Sequence, residues 1–227
     1  MTPRVHAEGG ALESRSCDHA MQLIRVVSPR VLPDFVACCS AQLVQGDGRM
    51  HFAAGRQCAA RAISHVTGQP TVCALARGPN GEPVWPAGLT GSITHTGNFI
   101  SAAAARTAAA RAIGLDAEQI IAPERAARVA SIVMRDDERS VGGETITPAV
   151  RLTLLFSIKE AVFKCLYPLV MERFYYSALR VTSLDFGTGQ FDAKLTVPLQ
   201  GFCSGHPLTG RFEVDDARVY TGVCLTA

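Results

Sequence analysis

The stretch 150–166 leaves the chain few folds to choose from. It is apolar over most of its length, and Leu152, Leu155, Phe156, Phe163 and Leu166 recur at spacings of three, four and seven. That period predicts a helix with a buried stripe. Pro168 lacks a backbone N–H and restricts Tyr167, so the helix is expected to end near there. Four alternating or apolar segments follow, at 179–184, 190–197, 210–214 and 218–225. Turns at Gly187-Thr188-Gly189 and Asp215-Asp216 separate them, which predicts an antiparallel meander. The first half has the same plan. A helix at 50–66, with Met50, Phe52 or Ala53, Ala60 and Ile63 inward, is ended by Gly68 and Pro70. Strands are expected at 21–27, around Phe35-Val36, at 72–76, at 99–105 and at 108–116. A helix followed by strands, twice, predicts an α+β chain.

With 227 residues, 48% of them apolar, the chain can bury a real core as one large domain or two small ones. Its 22 basic and 20 acidic residues balance to +2, which argues against general nucleic-acid or membrane binding. Eight cysteines include no Cys-x-x-Cys pair, so they read as reduced thiols rather than zinc ligands. No apolar run approaches the ~18 residues of a membrane span. Residues 1–20 have no signal-peptide core and read as a loose tail. A cytoplasmic location is expected.

The chemistry-bearing residues cluster in a few places. Glu160 and Lys164 are four apart and share a helix face, with Ser157 one turn earlier. Alone they fit a surface ion pair. Asp116 and Glu118 end a strand at 112–118 and point to one side. Three carboxylates from a strand end and a helix make an oxygen-rich set suited to Mg²⁺. Arg49, Arg56 and Arg61 decorate the first helix, as solvated charges or as a phosphate clamp. Residues 77–83 form a Gly/Pro-rich turn, and Trp85 is expected in the core. Ser92, Thr94 and His95 lie in a polar run suited to converging on phosphate oxygens. Residues 123–138 predict an amphipathic helix with Ala126, Val129, Ile132 and Val133 inward. Arg125, Arg128 and Arg135 are opposed there by Asp136, Asp137 and Glu138.

Gly114-Leu115-Asp116-Ala117-Glu118 followed by Phe156-Ser157-Ile158-Lys159-Glu160-Ala161-Val162-Phe163-Lys164 resembles the 4′-phosphopantetheinyl transferase superfamily. Ala54-Gly55-Arg56, Pro83-Val84-Trp85-Pro86 and Gly91-Ser92-Ile93-Thr94-His95 are similar to its Sfp-type, enterobactin-synthetase-activator-like branch. Tyr167-Pro168-Leu169-Val170 with Arg173-Phe174-Tyr175 resembles broad-range members that serve fatty-acid and secondary-metabolite carriers. The resemblance spans roughly 46–199. It implies a pseudo-twofold pair of helix-plus-antiparallel-sheet halves, at 21–116 and 117–227, with the active site in the cleft between them.

The implied reaction moves 4′-phosphopantetheine from coenzyme A to a serine of an apo acyl, peptidyl or aryl carrier protein. It releases adenosine 3′,5′-bisphosphate. Such enzymes serve fatty-acid, polyketide, nonribosomal-peptide and siderophore synthesis, and a monomer is expected. Asp116, Glu118 and Glu160 would hold Mg²⁺, with Mn²⁺ as the alternative. Glu160, or a metal-bound water it orients, would be the base, and Lys164 would meet the leaving phosphate. Arg49, Arg56, Glu82, Pro83, Thr94, His95 and Lys164 would bind coenzyme A. Glu82 and Pro83 would do so through their backbone at the adenine. Two departures stand out: Asp47 and Gly48 replace a basic pair, and Glu82 stands where a basic residue is common. A coenzyme A or carrier-binding module without turnover, and a metal-dependent phosphohydrolase, are the rival readings.

Overall fold

The computed structural model describes residues 23–45, 47–71, 75–144 and 146–227; the expected tail at 1–20 and most of the strand expected at 72–76 lie outside them. Strand β1 (Leu23–Val26) leads through an irregular segment to β2 (Ala37–Leu43), so Phe35 precedes the strand and is exposed. Helix α1 (Gly48–Thr67) starts at Asp47, whose carboxylate accepts from the Arg49 and Met50 N–H groups. That is how Asp at an N-cap satisfies the first orphan donors of a helix. Gly68, at φ 71°, closes it in the left-handed conformation. A small hairpin, β3 (Ala76–Arg77) and β4 (Pro83–Val84), precedes β5 (Leu89–Thr96) and β6 (Phe99–Arg106). Strands β1, β2, β5 and β6 form one antiparallel sheet in the order β1-β2-β6-β5.

The buried stripe of α1 is Ala54, Gly55, Cys58, Ala59, Ala62 and Ile63. The inward positions expected at Phe52 and Ala60 are therefore corrected: Phe52 faces out and Ala60 is half-buried. Small residues let the helix lie close on β6. That strand is alanine-rich because both its faces are covered. Ala102 and Ala104 meet α1, while Ala103 and Ala105 meet Val31, Leu32 and Val36.

Strand β7 (Ala110–Gln119) opens the second half. It is followed by α2 (Pro123–Val133), α3 (Pro148–Val170) and β8 (Leu179–Asp185), β9 (Gln190–Leu195), β10 (Pro207–Val214) and β11 (Arg218–Thr226). The second sheet runs β7-β11-β10-β9-β8, all antiparallel. The boundary expected at 116 falls inside β7, which belongs wholly to this sheet. Each half thus lays one long helix on one antiparallel sheet, an α+β fold. Helix α3 starts at Thr147, whose hydroxyl accepts from Val150 N–H. It runs through Pro168 rather than stopping before it, and ends at Met171 in the left-handed conformation. It is buried nearly all round, with Phe156 and Phe163 only half-buried. Helix α2 ends at Val133, short of the expected 138, and Ile132 faces solvent. No helix among the described residues is long and apolar enough to cross a membrane.

The second half packs tightly on its own helix, and a row of hydroxyls joins it to the first half. Gly114 lets β7 press on α3: a Cβ there would sit 1.8 Å from the Ala161 carbonyl oxygen. Strands β5 and β7 run side by side in the same direction without a backbone ladder. Instead Ser92, Thr94 and Thr96 accept, through their hydroxyl oxygens, from the N–H groups of Leu115 (3.0 Å), Ala117 (3.2 Å) and Gln119 (3.2 Å). A row of hydroxyls satisfies backbone donors that burial would otherwise leave costly.

Candidate active site

The alternation of β5 sorts its residues onto two faces. Thr94 and Thr96 turn toward β7, where their hydroxyls donate to Asp116 Oδ1 (3.2 Å) and Glu118 Oε2 (3.3 Å). Ile93 and His95 turn the other way, into a cavity of about 570 Å³. Thr94 therefore does not share that cavity with His95; it is buried and orients a carboxylate. Thr96, two residues on, does the same, and the Ser-x-Thr-x-Thr alternation was the signal for it.

Asp116 is 2% exposed and both its oxygens are engaged. Lys164 Nζ lies 2.6 Å from Oδ1, and Ser157 Oγ donates to Oδ2 at 2.7 Å. Ser157 also bonds Thr221. Lys164 further donates to Thr94 Oγ1 and to the Leu115 carbonyl, each at 3.3 Å. Glu160 accepts from the Tyr176 hydroxyl, whose ring meets Phe156 edge-on. Burial and the Glu160 carboxylate push the Tyr176 hydroxyl well above the usual phenol range, so it stays a donor. Tyr176 lies in a short turn after α3, and nothing in its local sequence announces this role.

The surface ion pair that the spacing of Glu160 and Lys164 would also fit is not among the ion pairs of the described residues; Lys164 goes to Asp116. Among the described residues no three His, Cys, Asp or Glu stand together at metal-binding separation. Asp116, Glu118 and Glu160 nevertheless feel one another. Burial, then the Asp116 charge, with Glu160 adding, pushes the Glu118 carboxyl up to about 7. An all-oxygen set in which burial and then neighbouring charge weigh against one ionised carboxyl suits a hard divalent cation, which reverses that penalty.

The cavity beside His95 is rich in cations. Arg49, Arg56, Arg77 and His51 line it together with Gly81 and Pro83. Arg56 lies against Phe52, 4.6 Å from the ring centre, and its Nε donates to the Leu75 carbonyl at 3.1 Å. Its Nη2 is buried with no hydrogen-bond partner. Burial, with the Arg77 charge, weighs against the Arg56 cation. A guanidinium left so is costly until an anion pairs with it. Burial, then the His51 and Lys164 charges, lowers His95 below its usual range. The His51 ring spans the Asp47 (2.7 Å) and Gly97 (2.6 Å) carbonyls, tying the start of α1 to the β5–β6 turn. Arg77 and His51 were not singled out from the sequence, because neither sits in a periodic or motif-like context.

A second cavity, about 480 Å³, adjoins the first through Gly81, Pro83 and Ile93. It runs past Glu82 and Trp85 to Phe163, Lys164 and Tyr167. Trp85 is half-buried against the core between α1 and its sheet, and Gly91 leaves room for its ring. The Glu82 carboxylate folds back onto its own hairpin, accepting from Asn80 N–H at 2.9 Å. The two cavities make one cleft from the arginines to Lys164.

Helix α2 presents Arg125 and Arg128 to solvent. Arg135 instead pairs with Asp137 at 3.3 Å and donates to the Ser177 carbonyl. Glu138 is fully buried, so it does not offset the arginines on that surface.

Residues 47–105 match the 4′-phosphopantetheinyl transferase N-terminal domain, and residues 112–209 match the 4′-phosphopantetheinyl transferase superfamily. The chain is 34% identical to 4′-phosphopantetheinyl transferase Npt of Nocardia iowensis, over 77% of this chain and 81% of that one. It is 33% identical to 4′-phosphopantetheinyl transferase Svp of Streptomyces mobaraensis, over 79% and 73%. It is 36% identical to enterobactin synthase component D of Salmonella typhimurium, over 58% and 53%. The two matched regions meet where the two sheets do, and with these relatives they show that the chain belongs to the 4′-phosphopantetheinyl transferase superfamily.

Proposed function

We propose that this transferase takes phosphopantetheine from coenzyme A and places it on a serine of an apo carrier protein, using the cleft from Arg56 to Lys164. The buried, unpartnered Arg56 Nη2 carries this reading, because it marks an anion site in a cavity lined by three arginines. The 3′-phosphate of coenzyme A fits there. Arg77 supplies charge that Asp47 and Gly48 do not. The hairpin at Gly81–Pro83 borders the adenine, and His95 faces the pyrophosphate.

Asp116, Glu118 and Glu160 would hold Mg²⁺, which when bound neutralises pyrophosphate charge. The residues supply the remainder. Thr94, Thr96, Ser157 and Tyr176 fix the three carboxylates. Glu160 takes the proton of the carrier serine as its oxygen bonds to the pantetheine-bearing phosphorus. The bond to the adenosine 3′,5′-bisphosphate oxygen breaks, and Lys164 meets the charge that grows there. Arg125 and Arg128 offer cations to an acidic carrier surface. The enzyme acts as a cytoplasmic monomer.

Intact-mass measurement of several apo carriers with coenzyme A and Mg²⁺ tests this. The expected result is one added phosphopantetheine, lost in excess chelator and restored by Mg²⁺. Phosphopantetheine released free in solution would instead make the protein a phosphohydrolase. Bound coenzyme A without turnover would make it a binding module.

The metal assignment predicts a pH effect on stability. Glu118 titrates near 7 in the fold and near 4.5 when unfolded. Between those values the native state holds the extra proton, so stability of the metal-free protein falls as pH rises through that window. Glu118→Gln should flatten the fall, and Mg²⁺ should offset it in the wild type alone. Thermal melts from pH 5 to 8 check this; identical slopes for both proteins would show that Glu118 is not raised in the fold.

A further inference from the structure

Lys159 precedes Glu160 but leaves the helix on another side. It is 2% exposed, and its partner Glu138 is 0% exposed. Lys159 Nζ donates to Glu138 Oε2 at 2.7 Å and to the carbonyl of Val133, the last residue of α2, also at 2.7 Å. The Glu138 carboxylate accepts from Arg135 N–H (2.9 Å) and Val181 N–H (2.7 Å). One buried pair therefore ties together α3, the end of α2, the turn at 135–138 and β8.

That knot reaches Glu160 by two routes. Lys159 holds the adjacent backbone. Arg135 Nη1 bonds the Ser177 carbonyl at 3.2 Å, and the Val181 contact fixes the start of β8. Between them they anchor the turn Tyr176–Ala178, whose Tyr176 hydroxyl donates to Glu160. Apolar residues of similar volume hold a core as well as a buried ion pair does, so stability alone gives little reason for one. Directional bonds to four elements do.

We propose that the Lys159–Glu138 pair is a positioning pair for the Glu160 carboxylate, acting through the α3 backbone and through Tyr176. The inference rests on the reading of Glu160 as proton acceptor and metal ligand.

The test compares Lys159→Met, Glu138→Gln, the double variant and Tyr176→Phe. Each single change at the pair strands a buried partner and should lower the melting temperature by roughly 10 °C. The double variant removes both charges and should recover most of that loss. Its coenzyme A affinity should equal the wild type's. Its single-turnover transfer rate at saturating coenzyme A should still be about 10-fold lower or more, because Glu160 is no longer held in place. Tyr176→Phe should fold normally and lose rate by a similar factor, again without losing coenzyme A. A double variant with wild-type rate overturns the proposal. So does one that fails to fold, or that loses rate and coenzyme A affinity together, since the pair is then only structural. A wild-type rate in Tyr176→Phe overturns the second route. Absence of transfer in the wild type, or a wild-type rate in Glu160→Gln, would instead sink the underlying reading.

Discussion

Lys164→Ala should lower the single-turnover rate of transfer to an apo carrier by about 100-fold or more, while coenzyme A stays bound. The factor is that of deleting one preorganised electrostatic donor whose partner gains charge in the transition state. This ammonium sits 2.6 Å from Asp116 Oδ1, with 27% of its side chain exposed, and it lines the cleft. It already stands at the boundary between the carboxylates and the cavity that adjoins the arginines. A surface ion pair would behave differently: its loss costs at most ~0.5 kcal/mol and leaves the rate alone. Here the deletion also frees Asp116 Oδ1 from its cation. The variant should therefore be assayed at several Mg²⁺ concentrations, so that altered metal affinity is separated from the chemical step. A near-wild-type rate at saturating Mg²⁺ would remove Lys164 from the catalytic assignment.

Arg56→Ala should weaken coenzyme A about 10- to 150-fold and dephospho-coenzyme A far less. The range corresponds to one charge-assisted hydrogen bond, about 1.5–3 kcal/mol. The guanidinium has one edge on the Leu75 carbonyl and another buried without a partner. Its removal also takes away a buried donor that has no partner, so stability should not fall in proportion. Arg49→Ala should show the same preference, and His95→Ala should weaken both ligands alike. Calorimetric titration with the two ligands checks all three. Equal losses for both ligands in Arg56→Ala would move the 3′-phosphate elsewhere.

Much of the fold was legible because its signals are local. The meander and the alanine run in β6 follow from which faces are covered, whereas the single buried stripe expected for α3 is corrected: the helix is buried nearly all round, and Phe156 and Phe163 are its less buried members. The stripe of α1 was misplaced because Ala, Gly and Cys carry it, and such residues give almost no hydrophobic contrast. The pattern extends α2 past its end because the turn at Asp136–Glu138 continues the charge pattern, while the buried role of Glu138 depends on Lys159, 21 residues away. In the site, Asp116, Glu118, Glu160, Lys164 and the arginines could be found from motifs. What each touches could not. The polar run at 92–95 groups Thr94 with His95 as phosphate contacts, yet strand alternation and the β5–β7 seam send Thr94 to Asp116. Tyr176 and Arg77 are joined to the site only by tertiary contact.

The hydroxyl row between β5 and β7 also couples the joint between the two sheets to the aim of the acids. Each threonine uses its oxygen on a backbone N–H and its hydrogen on a carboxylate, so Thr94 and Thr96 clasp the edge and aim the acid at once. Prising the two sheets apart there would strip buried N–H groups and release Asp116 and Glu118 in the same motion. Strain at this edge is therefore felt by the acids, while the hairpin of residues 76–84 and the end of α3, which line the other side of the cleft, carry no such contacts to them among the described residues.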